Sequence, residues 1–82
     1  FAYGYFNRAN LLMKLNDFKG AVVDYSEAVR INPQFAEAYF NRGLVYLYMG
    51  NTDAGVADLS KAGELGIYSA YNVIKRHKET VE

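Results

Sequence analysis

Tyr5-Phe6-Asn7-Arg8 returns unchanged as Tyr39-Phe40-Asn41-Arg42, 34 residues further along the chain. Carrying that offset outward pairs Ala2 with Ala36, Val22 with Val56, Asp24 with Asp58, Ser26 with Ser60 and Ala28 with Ala62. These pairs alone are nine identities in one register, against roughly two expected by chance at ordinary composition. A period of this length sets the architecture before any local motif does. Each repeat is one supersecondary unit that can bury its apolar face only against a neighbour.

Inside each period the apolar residues keep helical spacing. In residues 2–15, Tyr5, Ala9 and Leu12 fall at i, i+4 and i+7, flanked by Leu11 and Leu15, and Asn16-Asp17 supplies a break and an N-cap. Residues 18–31 set Ala21, Tyr25, Ala28 and Val29 on one face and stop at Asn32-Pro33, where a helix cannot continue. The second unit follows the same plan. Tyr39, Gly43 and Tyr46 stripe a helix over 36–49, Gly50-Asn51 breaks it, and Gly55, Leu59 and Ala62 stripe 52–65, which Gly66 ends. A fifth helix over 69–81 carries Ala70, Val73, Ile74, His77 and Val81 on one face and Asn72, Lys75, Arg76, Lys78 and Glu79 on the other. One-sidedness of that kind suits the end of a stack.

The fold class this predicts is all-α, an α-α superhelix or solenoid of five helices. Its parts are two helical hairpins, about 2–35 and 36–69, and a C-terminal capping helix over about 70–82, in one domain spanning 1–82. Small residues occupy matching sites, Ala9 with Gly43, Ala21 with Gly55 and Ala28 with Ala62. At such sites helix axes approach to the short end of the usual range of about 8–10 Å.

Composition narrows the functions. Hydrophobic residues make up 51% of the chain and aromatic residues 16%, which excludes a disordered tail. Nine basic residues balance nine acidic ones, so the electrostatic footprint of a nucleic-acid or anionic-membrane binder is missing. Apolar runs are only a few residues long, too short to span a bilayer. Without cysteine, disulfides and thiol catalysis are excluded. The chain opens at Phe1, close to a repeat boundary, so a fragment of a longer protein with earlier repeats missing is expected. A soluble chain is expected; the compartment is not readable, with cytoplasm the default.

These residues resemble the tetratricopeptide repeat (TPR) family, whose 34-residue pattern runs aromatic, small, aromatic, small, bulky, small, proline. Unit one reads Tyr5, Ala9, Leu12, Ala21, Tyr25, Ala28, Pro33, and unit two reads Tyr39, Gly43, Tyr46, Gly55, Leu59, Ala62, then Ile67 in place of proline. The resemblance covers residues 2–69, and the last helix resembles the family's terminal capping helix. Ile67 with Gly55, Gly63 and Gly66 predicts a looser final turn, and Arg8 and Arg42 stand where leucine is common.

Catalysis has little to work with. His77 is the single histidine and lies on an apolar stripe without cysteine or a second histidine for company. Gly63-Glu64-Leu65-Gly66 ends a helix rather than opening one, the wrong polarity for an anion. No enzyme, cofactor or metal site is expected. Arg8 with Asp24 and Arg42 with Asp58 recur together, which predicts ion pairs between helices; the competing reading makes the arginines anion ligands.

A binding face follows from angles. At about 100° per residue, Tyr5, Ala9 and Leu12 centre one stripe of the first helix, and Tyr3, Phe6, Asn10 and Met13 centre another roughly 130° away. Glu37, Phe40, Leu44 and Leu47 repeat this in the second unit, with Asn41 and Tyr48 at the edge, and Tyr71, Lys75 and Lys78 fall on the corresponding side of the last helix. One stripe closes a hairpin; a second needs another neighbour or a ligand. The resemblance implies that this second stripe lines a concave groove that receives peptides. The candidate groove residues are Tyr3, Phe6, Asn7, Asn10, Met13, Phe40, Asn41, Leu44, Tyr48, Tyr71, Lys75 and Lys78.

Some family members clamp the C-terminal carboxylate of a chaperone tail. Asn10, Asn41 and Lys75 match that clamp, whereas Phe6 and Tyr71 stand where it requires lysine, which removes most of its charge-assisted bonding. The expected function is therefore a protein-interaction module for an aromatic or apolar peptide of a protein partner. The alternative is a structural segment of a longer solenoid, or a self-associating one forming a homo-oligomer.

Overall fold

The computed structural model describes residues 1–81, without the side chain of Val81. Val81's place on the apolar stripe, and residue 82 at the end of the expected cap, lie outside the described residues. Five helices follow in order: α1 (Ala2–Lys14), α2 (Phe18–Ile31), α3 (Ala36–Tyr48), α4 (Thr52–Glu64) and α5 (Ser69–Val81). No strand occurs among the described residues. α1, α3 and α4 each stop one residue sooner than the spacing predicts, because Leu15, Met49 and Leu65 serve as C-caps.

The breaks work by local chemistry. Asn16 and Gly50, one period apart, both turn the chain with positive φ, 62° and 82°, the left-handed conformation that closes a helix C-terminus. Asp17 and Asn51 then accept from the backbone N–H of Gly20 at 3.0 Å and of Ala54 at 3.4 Å, capping α2 and α4. α2 ends differently, in extended Asn32 ahead of Pro33.

Packing runs between neighbours. α1 lies on α2, α3 on α4, and α2 joins the hairpins through α3; α5 lies on α4, and α1 touches α3 more lightly. One cluster gathers Ala9, Ala21, Tyr25, Ala28, Val29, Ala38 and Val45; a second gathers Leu59, Ala62 and Ala70. Small residues set the crossing of α3 and α4. A β-carbon added at Gly43 or at Gly55 would stand 3.0 Å from the carbonyl oxygen of the other. Gly63, expected to loosen the last turn, instead provides the surface on which the Tyr71 ring of α5 lies. The glycine there is a close-packing site; only Gly66, with φ 112°, opens the turn.

Both arginine–aspartate pairs form, each linking the two helices of one hairpin. Arg8 reaches Asp24 through Nε at 2.6 Å and Nη2 at 2.9 Å, and Arg42 reaches Asp58 at 2.6 and 2.8 Å. These forked bonds hold the Asp24 carboxyl below the ordinary carboxylate range, with burial opposing them. The same bonds raise the guanidinium of each arginine.

Candidate functional site

Asn10 of α1 and Asn41 of α3 meet between the hairpins. Asn41 Nδ2 donates to Asn10 Oδ1 at 3.1 Å, and the Tyr25 hydroxyl of α2 donates to the same oxygen. Tyr25 is fully buried, and burial pushes its phenol up, partly opposed by the Asn41 amide. The Asn10 carbonyl is thus satisfied twice. Its own amide nitrogen and the Asn41 oxygen carry no bond among the described residues. No half-buried side chain among the described residues hides an unpaired polar atom, so both groups reach solvent. The pair presents a donor and an acceptor side by side, held by a phenol beneath.

Aromatic rings occupy the side of this pair nearer the start of α1. Phe6 stacks on Phe35 at 4.7 Å between centroids and lies 5.9 Å from Tyr25, while Tyr3 meets Phe6 edge-on at 5.8 Å. These separations fall within the attractive range for aromatic pairs. Phe6 is half-buried in this group, and its counterpart Phe40 packs against the Leu59, Ala62 and Ala70 cluster. Both rings therefore bridge neighbouring elements and are half-buried.

Two depressions occupy the other side. Met13, Lys14, Asn16, Phe18 and Tyr48 line one of about 430 Å³, where the Phe18 and Tyr48 rings stand 5.8 Å apart. Leu44, Leu47, Tyr48, Val73, Arg76, His77 and Thr80 line the other, of about 330 Å³. Tyr48 belongs to both and forms the ridge between them, with 65% of its surface exposed. Neither depression contains an acidic residue, whereas Lys14 stands in the first and Arg76 in the second. His77 is half-buried, with Nε2 3.3 Å from Thr52 Oγ1.

The remaining candidates stand apart from this centre. Asn7 and Lys78 are exposed, and Lys75 lies in a polar indentation with Asn72, Arg76 and Glu79. Tyr71 rests on Gly63 in the seam between α4 and α5. Sequence reasoning missed Lys14, Phe18 and Phe35. The period alone could have found Lys14, which corresponds to Tyr48, and Phe35, which repeats Phe1, but Phe18 flanks a turn and corresponds to Thr52, so it carries no periodic signal. No helix among the described residues is long and apolar enough to cross a membrane. No group of three or more His, Cys, Asp or Glu among them could hold a metal ion.

Comparison with known proteins agrees with this architecture. A family model described as TPR repeat matches residues 9–50, and one described as Tetratricopeptide repeat matches 36–65. The chain is 36% identical over 58 residues to Hsp70-Hsp90 organizing protein 1 of Glycine max, covering 71% of this chain and 10% of that protein. It is 33% identical over 61 residues to a UDP-N-acetylglucosamine--peptide N-acetylglucosaminyltransferase of Giardia intestinalis, covering 74% of this chain and 4% of the transferase. The chain thus spans a tenth or less of these relatives' lengths. The crystal structure of MamA superposes with a TM-score of 0.92 at 25% identity, over 96% of this chain and 47% of that one.

Proposed function

This chain belongs to the tetratricopeptide repeat family, and from that premise we propose that it captures an extended peptide of a protein partner across α1, α3 and α5. The observation that carries the reading is the outward donor and acceptor of the Asn10–Asn41 pair. A peptide backbone offers the complementary N–H and C=O at every residue, so a fixed amide pair grips it without demanding a particular side chain.

Selection then falls to the depressions on either side of Tyr48. Their apolar walls suit bulky side chains, and Lys14 and Arg76 favour acidic residues next to them. The ligand that fits is an extended segment with two large apolar residues and neighbouring Asp or Glu. Phe6 and Tyr71 in place of clamp lysines argue against a free C-terminal carboxylate as the principal anchor.

Amide chemical-shift mapping with synthetic peptides of that composition tests the proposal. Shifts at Asn10, Asn41 and Tyr48 are expected. Shifts confined to exposed Val23 and Ile31 on α2 would move the site to the outer surface and overturn it.

A further inference from the structure

His77 is the single histidine of the chain, and imidazole is the side chain whose charge changes between about pH 5 and 8. It stands half-buried in the wall of the second depression, directly after Arg76, with Nε2 3.3 Å from Thr52 Oγ1 of α4. The threonine hydroxyl can donate to a bare ring nitrogen or accept from a protonated one. The contact therefore holds the ring in either charge state and selects neither.

The surroundings supply no carboxylate to a charged ring. α3 contributes Leu44, Leu47 and Tyr48 to the depression, and α5 adds Arg76. Outside the lining, Asp53 follows Thr52 on α4 and Lys78 follows His77 on α5, both exposed, while Glu79 lines a separate indentation with Lys75. His77 forms no ion pair among the described residues, which leaves that pairing to a ligand.

We infer that His77 makes this depression's selection for acidic peptide residues depend on pH, a regulation that rests on the peptide face proposed above. With a neutral ring the wall offers the Arg76 charge; with a charged ring it offers two cations, adjacent along α5. A peptide Asp or Glu entering the depression favours the imidazolium. Binding then takes up a proton, and by reciprocity acid tightens binding. The gain is present once the ring is charged and is lost as pH rises through the histidine range. Peptide carboxylates, which titrate near about 4, stay ionised down to about pH 5.5, so the two effects separate above that point.

Isothermal titration at about pH 5.5 and about pH 7.2 tests this, a range in which histidine titrates and peptide carboxylates do not. Two end-blocked synthetic peptides are compared, one with Glu beside its large apolar residues and one with Gln at the same places. The Glu peptide should bind about two- to fivefold more tightly at the lower pH, the yield of one partly exposed ion pair. The Gln peptide should not change. Titration in two buffers of different ionisation enthalpy should show proton uptake with the Glu peptide alone. His77→Gln should remove both effects, whatever its affinity at the higher pH. A Glu peptide that binds equally at both values, or a pH effect that survives His77→Gln, would overturn the inference while shifts at Asn10, Asn41 and Tyr48 keep the peptide face. Absence of those shifts with either peptide overturns both readings together.

Discussion

Arg42 Nη1 of α3 donates to Ser26 Oγ of α2 at 3.1 Å while Asp58 of α4 holds the same guanidinium. One planar group therefore ties three helices and fixes how one repeat sits on the other. Lysine could not reproduce the fork, since an ammonium is a point charge without fixed donor directions.

Arg42→Ala leaves Asp58 buried and unpaired, so it should destabilise the chain by about 3 kcal/mol in urea unfolding. Arg8→Ala should cost less. Arg8 is 64% exposed against 17% for Arg42, so water can reach Asp24 when Arg8 is removed. Equal losses would show that the contact with Ser26 and its burial contribute nothing.

Two glycines should respond to alanine in opposite directions. An added β-carbon at Gly4 meets nothing within 4 Å, so Gly4→Ala gains roughly 0.5–1 kcal/mol from helix propensity alone. At Gly43 the same atom would press on the Gly55 carbonyl at 3.0 Å and Leu59 Cγ at 2.9 Å. Overpacking there should outweigh the propensity gain and leave a net loss of about 1–2 kcal/mol. Thermal denaturation of the two variants decides it, with Tm expected to rise for one and fall for the other.

Acid should weaken the first hairpin through Asp24. Its folded carboxyl titrates below the ordinary range because Arg8 hydrogen-bonds the charged form, whereas in the unfolded chain it titrates near about 4. Between those values the unfolded state binds more protons, so this contribution is complete above the unfolded pKa and is lost as pH falls through the folded one. Asp24→Asn should be less stable at neutral pH and flatter in acid. Urea midpoints measured from neutral pH down through the carboxylate range give the comparison; parallel curves would remove Asp24 from the account.

Peptide affinity should depend on the amide pair before it depends on any ring. Asn41→Ala should weaken binding about tenfold, the equivalent of one to two lost hydrogen bonds, with helicity by circular dichroism unchanged. Tyr25→Phe keeps both amides but removes one of the two donors to the Asn10 carbonyl, so a smaller loss is expected by isothermal titration. If Tyr25→Phe weakened binding more than Asn41→Ala, the gripping role would belong elsewhere.

Much of this was legible in the period. The 34-residue offset located all five helices to within a residue at their ends, and it paired Arg8 with Asp24 because both members repeat together. Tyr25 shows where such reading stops. Its counterpart is Leu59, so the repeat marks the position as core and says nothing of a hydroxyl that reaches Asn10. Angle places Phe6 on the second stripe, but an angle cannot show that Phe35 arrives from the adjoining turn to pack on its ring at 4.7 Å between centroids. Gly63 illustrates the reverse error: a residue with no side chain reads as slack until the Tyr71 ring is seen to occupy the space.

Because the helices pack chiefly on their neighbours in sequence, no distant segment must be found before structure pays off in contacts. Low contact order of this kind belongs to chains that fold in about microseconds to milliseconds. It also makes opening sequential. α5 leans chiefly on α4, so it should come loose before the hairpins do and exchange its amides first, while the seam around Tyr25 and Val45 holds until the whole chain melts.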